Sequence, residues 1–356
     1  MNNRYGTQWF VLFGAATCGV AASAFWATEG AVALGYPRVG DRGKATSDIA
    51  GVWLGLRELG QLIGSSIQLS LNVHKNKTGK VGYTTYLTLI GLQCLGLPLA
   101  FLVSSPEKVI RSDGAKAGDP TLSKNFLIQL RRIGKLILKK LIFLLIPICI
   151  VGTWNGTYQG IYLTKYFSVR ARTLGALTSS IAATAANLFW GWVLDLKFVR
   201  RPTMAKLVWA IFAAILLALF GWQVANENLY EHSPSKVTLD WDLSGFGRGF
   251  AVNVLFRFMN ESHYMFVYWI VGTFDQDVST LTLTVGILRS FESIGSTLAN
   301  GIGALHIKPM TNLIVAFVLF VAAIPTTTWV TYLVPEHTTI NKVDTPDSGC
   351  LEGDKP

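Results

Sequence analysis

The sequence predicts an all-α polytopic membrane protein, on three observations. The 356-residue chain is 51% hydrophobic and only 15% charged, where a soluble domain carries about 25% charged residues. Its mean hydropathy is +0.40. The apolar residues also come in blocks of about 20, the length of helix that crosses a hydrocarbon core roughly 30 Å thick. Backbone amides cannot face lipid unpaired, so each block is read as a helix. The same figures exclude a disordered chain, a coiled coil and an ordinary soluble enzyme.

About nine transmembrane helices can be marked. The first three run from Trp9 to Leu34, Ala50 to Asn72 and Val81 to Val103. Leu141 to Tyr166, Leu174 to Leu194 and Leu207 to Ala225 follow a basic stretch, and Phe250 to Phe274, Leu281 to Leu305 and Thr311 to Leu333 complete the set. The first has a rival reading: Arg4, an apolar run and Ala22-Ser23-Ala24 match a cleaved secretory signal. Apolar character continues past that site, which favours a span. Pro98, Pro147 and Pro325 fall inside blocks and are expected to kink them.

The net charge of +10 raises nucleic acid as a partner. Most of the Lys and Arg residues lie in loops and tails, densest between residues 108 and 140, which is a positive-inside pattern. No zinc-finger, homeodomain or RNA-binding spacing occurs, so a bilayer is the predicted partner and nucleic acid is not. Within Thr121 to Lys140, Phe126, Leu130, Ile133 and Ile137 recur at helical spacing among Arg131, Arg132, Lys135, Lys139 and Lys140. Such a helix suits an anionic cytoplasmic leaflet. It reads equally as an ordinary basic helix flank, and both readings put the loop inside the cell. Residues 335–356 are polar and read as a disordered tail.

Cys18, Cys94, Cys149 and Cys350 show no CxxC pair, so neither a disulfide framework nor a metal site is expected. The five histidines do not cluster, and G-x-S-x-G, H-E-x-x-H and P-loop patterns are absent. No enzyme activity and no cofactor are predicted.

At the end of the fifth block the chain reads Gly191-Trp-Val-Leu-Asp195-Leu-Lys-Phe-Val-Arg200-Arg201. An Asp at a helix end beside an Arg pair can form a charge-assisted clamp. The spacing resembles the cytoplasmic loop motif of the major facilitator superfamily, with Gly191, Asp195, Arg200 and Arg201 in place and Phe198 where that motif has its second glycine. A plain polar helix end with positive-inside arginines reads the same way. The resemblance implies that this loop joins the eighth and ninth of twelve helices. Residues 1–104 would then be the last three helices of the N-terminal repeat and 105–140 the central cytoplasmic loop. Residues 141–334 would be a six-helix C-terminal repeat and 335–356 the tail. Counterparts of the first three helices would be missing.

Ionisable residues in the spans agree with that register. The resemblance makes the third, sixth and ninth blocks outer supports, and none of them carries a charge in its interior. The charges sit instead at Arg57 and Glu58, at Arg257, Glu261 and His263, and at Arg289 and Glu292. Charges at membrane depth face a bundle interior or a watery cavity. Glu227, Glu231, Asp240 and Asp242 are read as an exterior loop, and Asn76-Lys-Thr78 as an exterior glycosylation sequon. Lys75, Lys77 and Lys80 argue against that side, and the sequons at Asn155 and Asn260 lie within spans.

Three stretches resemble a narrower branch, the fungal-type "uncoordinated"-like, or ion-channel-regulatory-protein-like, facilitators. They are Ser105-Pro-Glu-Lys-Val-Ile-Arg-Ser-Asp-Gly114, Tyr166-Phe-Ser-Val-Arg-Ala-Arg172 and Leu239-Asp-Trp-Asp-Leu-Ser-Gly-Phe-Gly-Arg-Gly249. The resemblance covers nearly all of residues 8–335. It implies a partial facilitator fold and leaves two functions open. One is secondary transport of an unidentified small solute. The other is a non-transporting regulatory or trafficking subunit for another membrane protein.

Two site readings follow from the residues. Arg257 with Glu261, and Arg289 with Glu292, are spaced to meet on one helix face. They are either a polar or proton track, with His263 beside it, or self-neutralised structural bridges. Trp154, Asn155, Tyr158 and Gln159, with Tyr162 nearby, combine aromatics and amides that could line a solute cavity. Gly152, Gly156 and Gly160, like Gly60 and Gly64, read independently as close-packing faces.

Overall fold

The computed structural model describes residues 8–35, 58–102, 108, 126–194, 196, 199–233, 237–274, 278–305 and 307–336. They are helical and contain no strand, only an isolated bridge between Phe167 and Leu239. The helices are α1 (Gln8–Gly35), α2 (58–72), α3 (Tyr83–Cys94), α4 (Gly96–Ala100) and α5 (Phe126–Ile137). Then follow α6 (Lys140–Tyr166), α7 (Val169–Leu194), α8 (Arg201–Glu231), α9 (Phe246–Phe274), α10 (Val278–Ala304) and α11 (Pro309–Leu333).

Among the described residues, α6, α8 and α11 are long and apolar enough to cross a bilayer. α7, α9 and α10 match them in length but carry amides, hydroxyls and ion pairs that lower their apolarity. Outward-facing stripes are apolar: Leu207, Ile211 and Ile215 on α8, and Ile314, Val318 and Val321 on α11, are exposed at helical spacing. Water would penalise such contiguous surface; lipid does not.

The single span expected from Val81 to Val103 is interrupted at Leu95, between α3 and α4. Pro98 has no N–H to give the Cys94 carbonyl, so the regular ladder stops there. Pro147 and Pro325, by contrast, lie inside continuous helices. The basic helix α5 forms, but its inward face is Ile133, Leu136 and Ile137. Leu130, read as part of that face, is 53% exposed beside Leu127 and Ile128. Glu227 is not in a loop: α8 continues to Glu231 and buries it.

α6 is the hub of the bundle. It packs most extensively on α10, then on α11, and also on α9, while α9 packs mainly on α7 and then on α8, and α8 meets α11. Exchanging α6 with α9, α7 with α10 and α8 with α11 maps these contacts onto one another. The unit is thus two equivalent three-helix sets. Tryptophan indoles tie the helices across the apolar core. Trp154 donates to Asn312 Oδ1 at 2.8 Å, Trp190 to Ser262 Oγ at 2.7 Å and Trp209 to Thr328 Oγ1 at 2.8 Å. In lipid no water competes for these donors.

The α6–α10 contact depends on small residues that sequence reading did not single out. A Cβ on Gly295 would collide with the Ile150 carbonyl, Ala299 is fully buried, and a Cβ on Gly303 would collide with Ile161. Of the faces that were expected, Gly152 lies against His263, whose ring would be 2.6 Å from an added Cβ, while Gly60, Gly64 and Gly160 have open space.

One end of the bundle is stitched by three chain segments. The first N–H groups of α7 are given to residues 75–77: Val169 to the Lys77 carbonyl and Arg170 to the Lys75 carbonyl, both at 2.9 Å. The Arg172 guanidinium adds a bond to the Gly79 carbonyl. From the other side, Asp240 accepts from Ser168 Oγ at 2.8 Å and from Arg170 Nε at 2.9 Å. Arg170 also pairs with Asp242 and lies over the Trp241 ring. Asn76, the expected sequon, is exposed at this end. At the opposite end Arg132 donates to Thr280 at 2.8 Å, Arg200 lies 3.4 Å from Glu336 in an exposed pair, and Lys140 and Lys206 lie over the Trp329 and Tyr332 rings.

Burial raises the proton affinity of the Asp240 carboxyl, but bonds from Arg170, Ser168 and the Trp241 N–H outweigh it and hold the group below the usual carboxylate range. The stabilisation is therefore present above the unfolded value of about 3.9 and is lost as pH falls through the lower folded value. Asp240→Asn should lower the melting temperature at neutral pH. The gap from wild type should close when melting is repeated below about pH 4. For the helix contact, Gly295→Val should cost about 1–3 kcal/mol through overpacking, whereas Gly60→Ala should be silent in the same thermal-unfolding assay.

Candidate functional site

A cavity of about 430 Å³ opens where α2 faces α6, α7 and α9. Each helix lines it with one face. α2 gives Gln61, Gly64, Ser65 and Gln68; α6 gives Gly156, Gln159, Gly160 and Leu163; α9 gives Asn253, Phe256, Arg257 and Asn260. All three sets follow i, i+3, i+4, i+7, the repeat that puts side chains on one helical stripe. α7 adds Ala176, Ser179 and Ser180.

The wall is polar and deeply set. Ser65, Gln159, Ser180, Asn253 and Asn260 are each more than nine-tenths buried. Among the described residues, both amide atoms of Gln159, the Asn253 nitrogen and the Asn260 oxygen have no hydrogen-bond partner. Buried polar groups are nearly always paired, so each such atom requires a reason. Ser65 and Ser180 donate to Leu62 and Ala176 carbonyls of their own helices at 3.1 Å, which leaves their oxygens as acceptors. Arg257 pairs with Glu261 at 2.9 Å and reaches Gln61 Oε1 at 3.5 Å.

Of the four residues expected to line a solute cavity, only Gln159 does so. Trp154 and Tyr158 point to the other side of α6, into the core. Trp154 is bonded to Asn312, which in turn donates to the Ala299 carbonyl at 3.1 Å. Tyr158 donates to one oxygen of the buried Glu227 carboxylate, and Tyr166 to the other at 2.8 Å. Gln223 donates to Tyr158 Oη at 3.2 Å. This carboxylate is held by neutral donors, and it was not recognised as a buried group from the sequence.

Asn155 lines a second, much smaller space of about 10 Å³ with Gly152, Asn260 and His263. That is about the room for one water. Among the described residues neither His263 nitrogen has a partner there, and Asn260 belongs to both spaces.

The Arg289–Glu292 pair forms at 2.8 Å away from the large cavity. Its guanidinium lies over the Tyr264 and Tyr268 rings at 5.3 and 5.2 Å, and Tyr268 Oη reaches Glu292 at 3.4 Å. Glu58 is fully buried at the start of α2. Arg57 and Asp195 lie outside the described residues. Of the remaining motif residues, Gly191 is in the last turn of α7 and Arg201 opens α8, while Arg200 faces Glu336. No group of three or more His, Cys, Asp or Glu residues able to hold a metal occurs among the described residues.

The chain is similar to several curated proteins. It is 29% identical over 322 residues, 90% of this chain and 69% of the relative, to the notoamide biosynthesis cluster protein O' of Aspergillus versicolor. It is 28% identical over 308 residues, 85% of this chain and 60% of the relative, to an UNC93-like protein of Schizosaccharomyces pombe. It is 25% identical over 328 residues, 91% of this chain and 70% of the relative, to UNC93-like protein 1 of Arabidopsis thaliana. The chain thus spans 60% to 70% of the length of these relatives. No family model matches it, and no solved structure matches it significantly. The apolar helices and these relatives together mark the chain as an integral membrane protein.

The carboxylate cluster makes its own prediction. Tyr158→Phe and Tyr166→Phe each remove a hydrogen bond to a buried charge, worth about 1.5–3 kcal/mol. Each should lower thermal stability in detergent, the double variant more than either, and Glu227→Gln should cost less than the double variant.

Proposed function

We propose that the chain belongs to a facilitator-type secondary transporter that moves a small solute by alternating access, with the cavity between α2 and the α6–α11 bundle as its solute site. The observation that carries this reading is the position of the unpartnered amides. They lie at membrane depth, on the seam between helices from the N-terminal part of the chain and the six-helix unit. Irregular polarity at that depth is tolerated where it lines a binding site between repeats. The exchange symmetry of α6–α8 with α9–α11 supports a facilitator repeat built of two three-helix sets. The UNC93-like relatives fit a membrane protein of transporter-like or regulatory kind.

In this reading the nine spans place residues 105–140 in the cytoplasm, with α5 against anionic lipid headgroups through its exposed leucines and basic residues. The two ion pairs act as structural bridges: each carboxylate already has an arginine within 2.9 Å. The solute site then lies with the amides instead.

Alternating access can be tested without knowing the solute. In a background with Cys18, Cys94, Cys149 and Cys350 replaced by Ser, a Ser180→Cys variant presents one thiol on the cavity wall. Membrane-impermeant maleimide should label it in both right-side-out and inside-out vesicles. Labelling from one face alone would overturn transport and leave the regulatory-subunit reading.

A further inference from the structure

The chemistry of the cavity wall narrows what it can hold. Arg257 is the one charged residue among the lining residues described, and its guanidinium is already engaged by Glu261 at 2.9 Å, with Gln61 behind it. A free carboxylate or phosphate would have to displace Glu261, which is 97% buried and would be left charged in a low-dielectric site. An organic cation finds no carboxylate among the lining residues. Purely apolar solutes fare no better, because they would leave the four amide atoms unpaired.

What remains is a neutral wall that both donates and accepts. Gln159 Nε2 and Asn253 Nδ2 are donors in search of an acceptor; Gln159 Oε1 and Asn260 Oδ1 are acceptors in search of a donor. Ser65 and Ser180 add acceptor oxygens, since their protons are used within their own helices. Donors and acceptors stand side by side on the wall, which favours a ligand bearing several hydroxyl or amide groups, each able to serve both. Phe256 supplies one apolar face. A space of about 430 Å³ lies in the lower part of the range for small-molecule sites, about 300–1,000 Å³.

From this we infer that the cavity is a binding site for an uncharged solute bearing several hydroxyl or amide groups, of about the size of an N-acetylated amino sugar, gripped by Gln159, Asn253 and Asn260. The inference rests on the transporter reading for its purpose and on the wall alone for its chemistry.

Equilibrium dialysis of the purified chain in lipid nanodiscs tests it, with radiolabelled N-acetylglucosamine and myo-inositol as neutral probes, glutamate and lysine as charged ones, and indole as the apolar one. Saturable binding of a neutral probe is expected, with roughly tenfold weaker affinity in Gln159→Leu and in Asn253→Leu, the factor for one lost hydrogen bond. Should a leucine variant fail to fold, the same neutral probe must instead slow maleimide labelling of Ser180→Cys. Binding confined to glutamate, lysine or indole, or no binding by either neutral probe, overturns the inference. Neutral binding without two-sided labelling upholds this site and overturns transport. Two-sided labelling with binding only of a charged probe does the reverse.

Discussion

Hydrocarbon offers no hydrogen bonds, and the whole bundle is arranged around that fact. A polar side chain on a buried helix face must find its partner on a neighbouring helix or open into a space where something else can supply one. The indoles of Trp154, Trp190 and Trp209 take the first course, each bridging to a neighbouring helix, two of them to α11. So do Tyr158 and Tyr166, which converge on Glu227. Gln159, Asn253 and Asn260 take the second.

α6 embodies this sorting in a single element. One stripe carries Trp154, Tyr158 and Tyr162 into the core, with Tyr162 donating to the Gly249 carbonyl at 3.1 Å. The stripe of Gly156, Gln159, Gly160 and Leu163 faces the cavity. Adjacent residues on a helix point about 100° apart, so Tyr158 and Gln159 can serve opposite purposes. Reading the segment as one aromatic-and-amide cluster merged two faces that the helical repeat separates.

The sequence made some of this legible. The apolar blocks gave the helices, and the i, i+3 and i, i+4 spacings gave both ion pairs, because local geometry on one helix decides them. The cavity lining was also readable in principle, since Gln61, Ser65 and Gln68 repeat at helical spacing on α2 and Asn253, Arg257 and Asn260 do so on α9. What could not be read is which stripes meet. Glu227 looked like loop because Asn226, Glu227 and Asn228 are polar together; only the tyrosines of α6, 61 and 69 positions earlier in the chain, make a buried helix end tolerable there. Gly295 and Gly303 matter for a similar reason: the backbone they must admit belongs to another helix.

The stitched end has a mechanical corollary. Residues 75–79 belong to the part of the chain that carries α2, yet their carbonyls take two backbone amides and one guanidinium from the start of α7. Swinging the α2 segment away from the bundle at this end must first break those three bonds. At about 0.5–1.5 kcal/mol net for each, the latch amounts to about 1.5–4.5 kcal/mol. That is the size of gap which keeps a second conformation at about 0.1–10% occupancy. At the opposite end Arg132 meets Thr280 and Arg200 meets Glu336, and the start of α2 is anchored by the fully buried Glu58. The loop of residues 73–82 is therefore where the α2 segment is pinned to the start of α7.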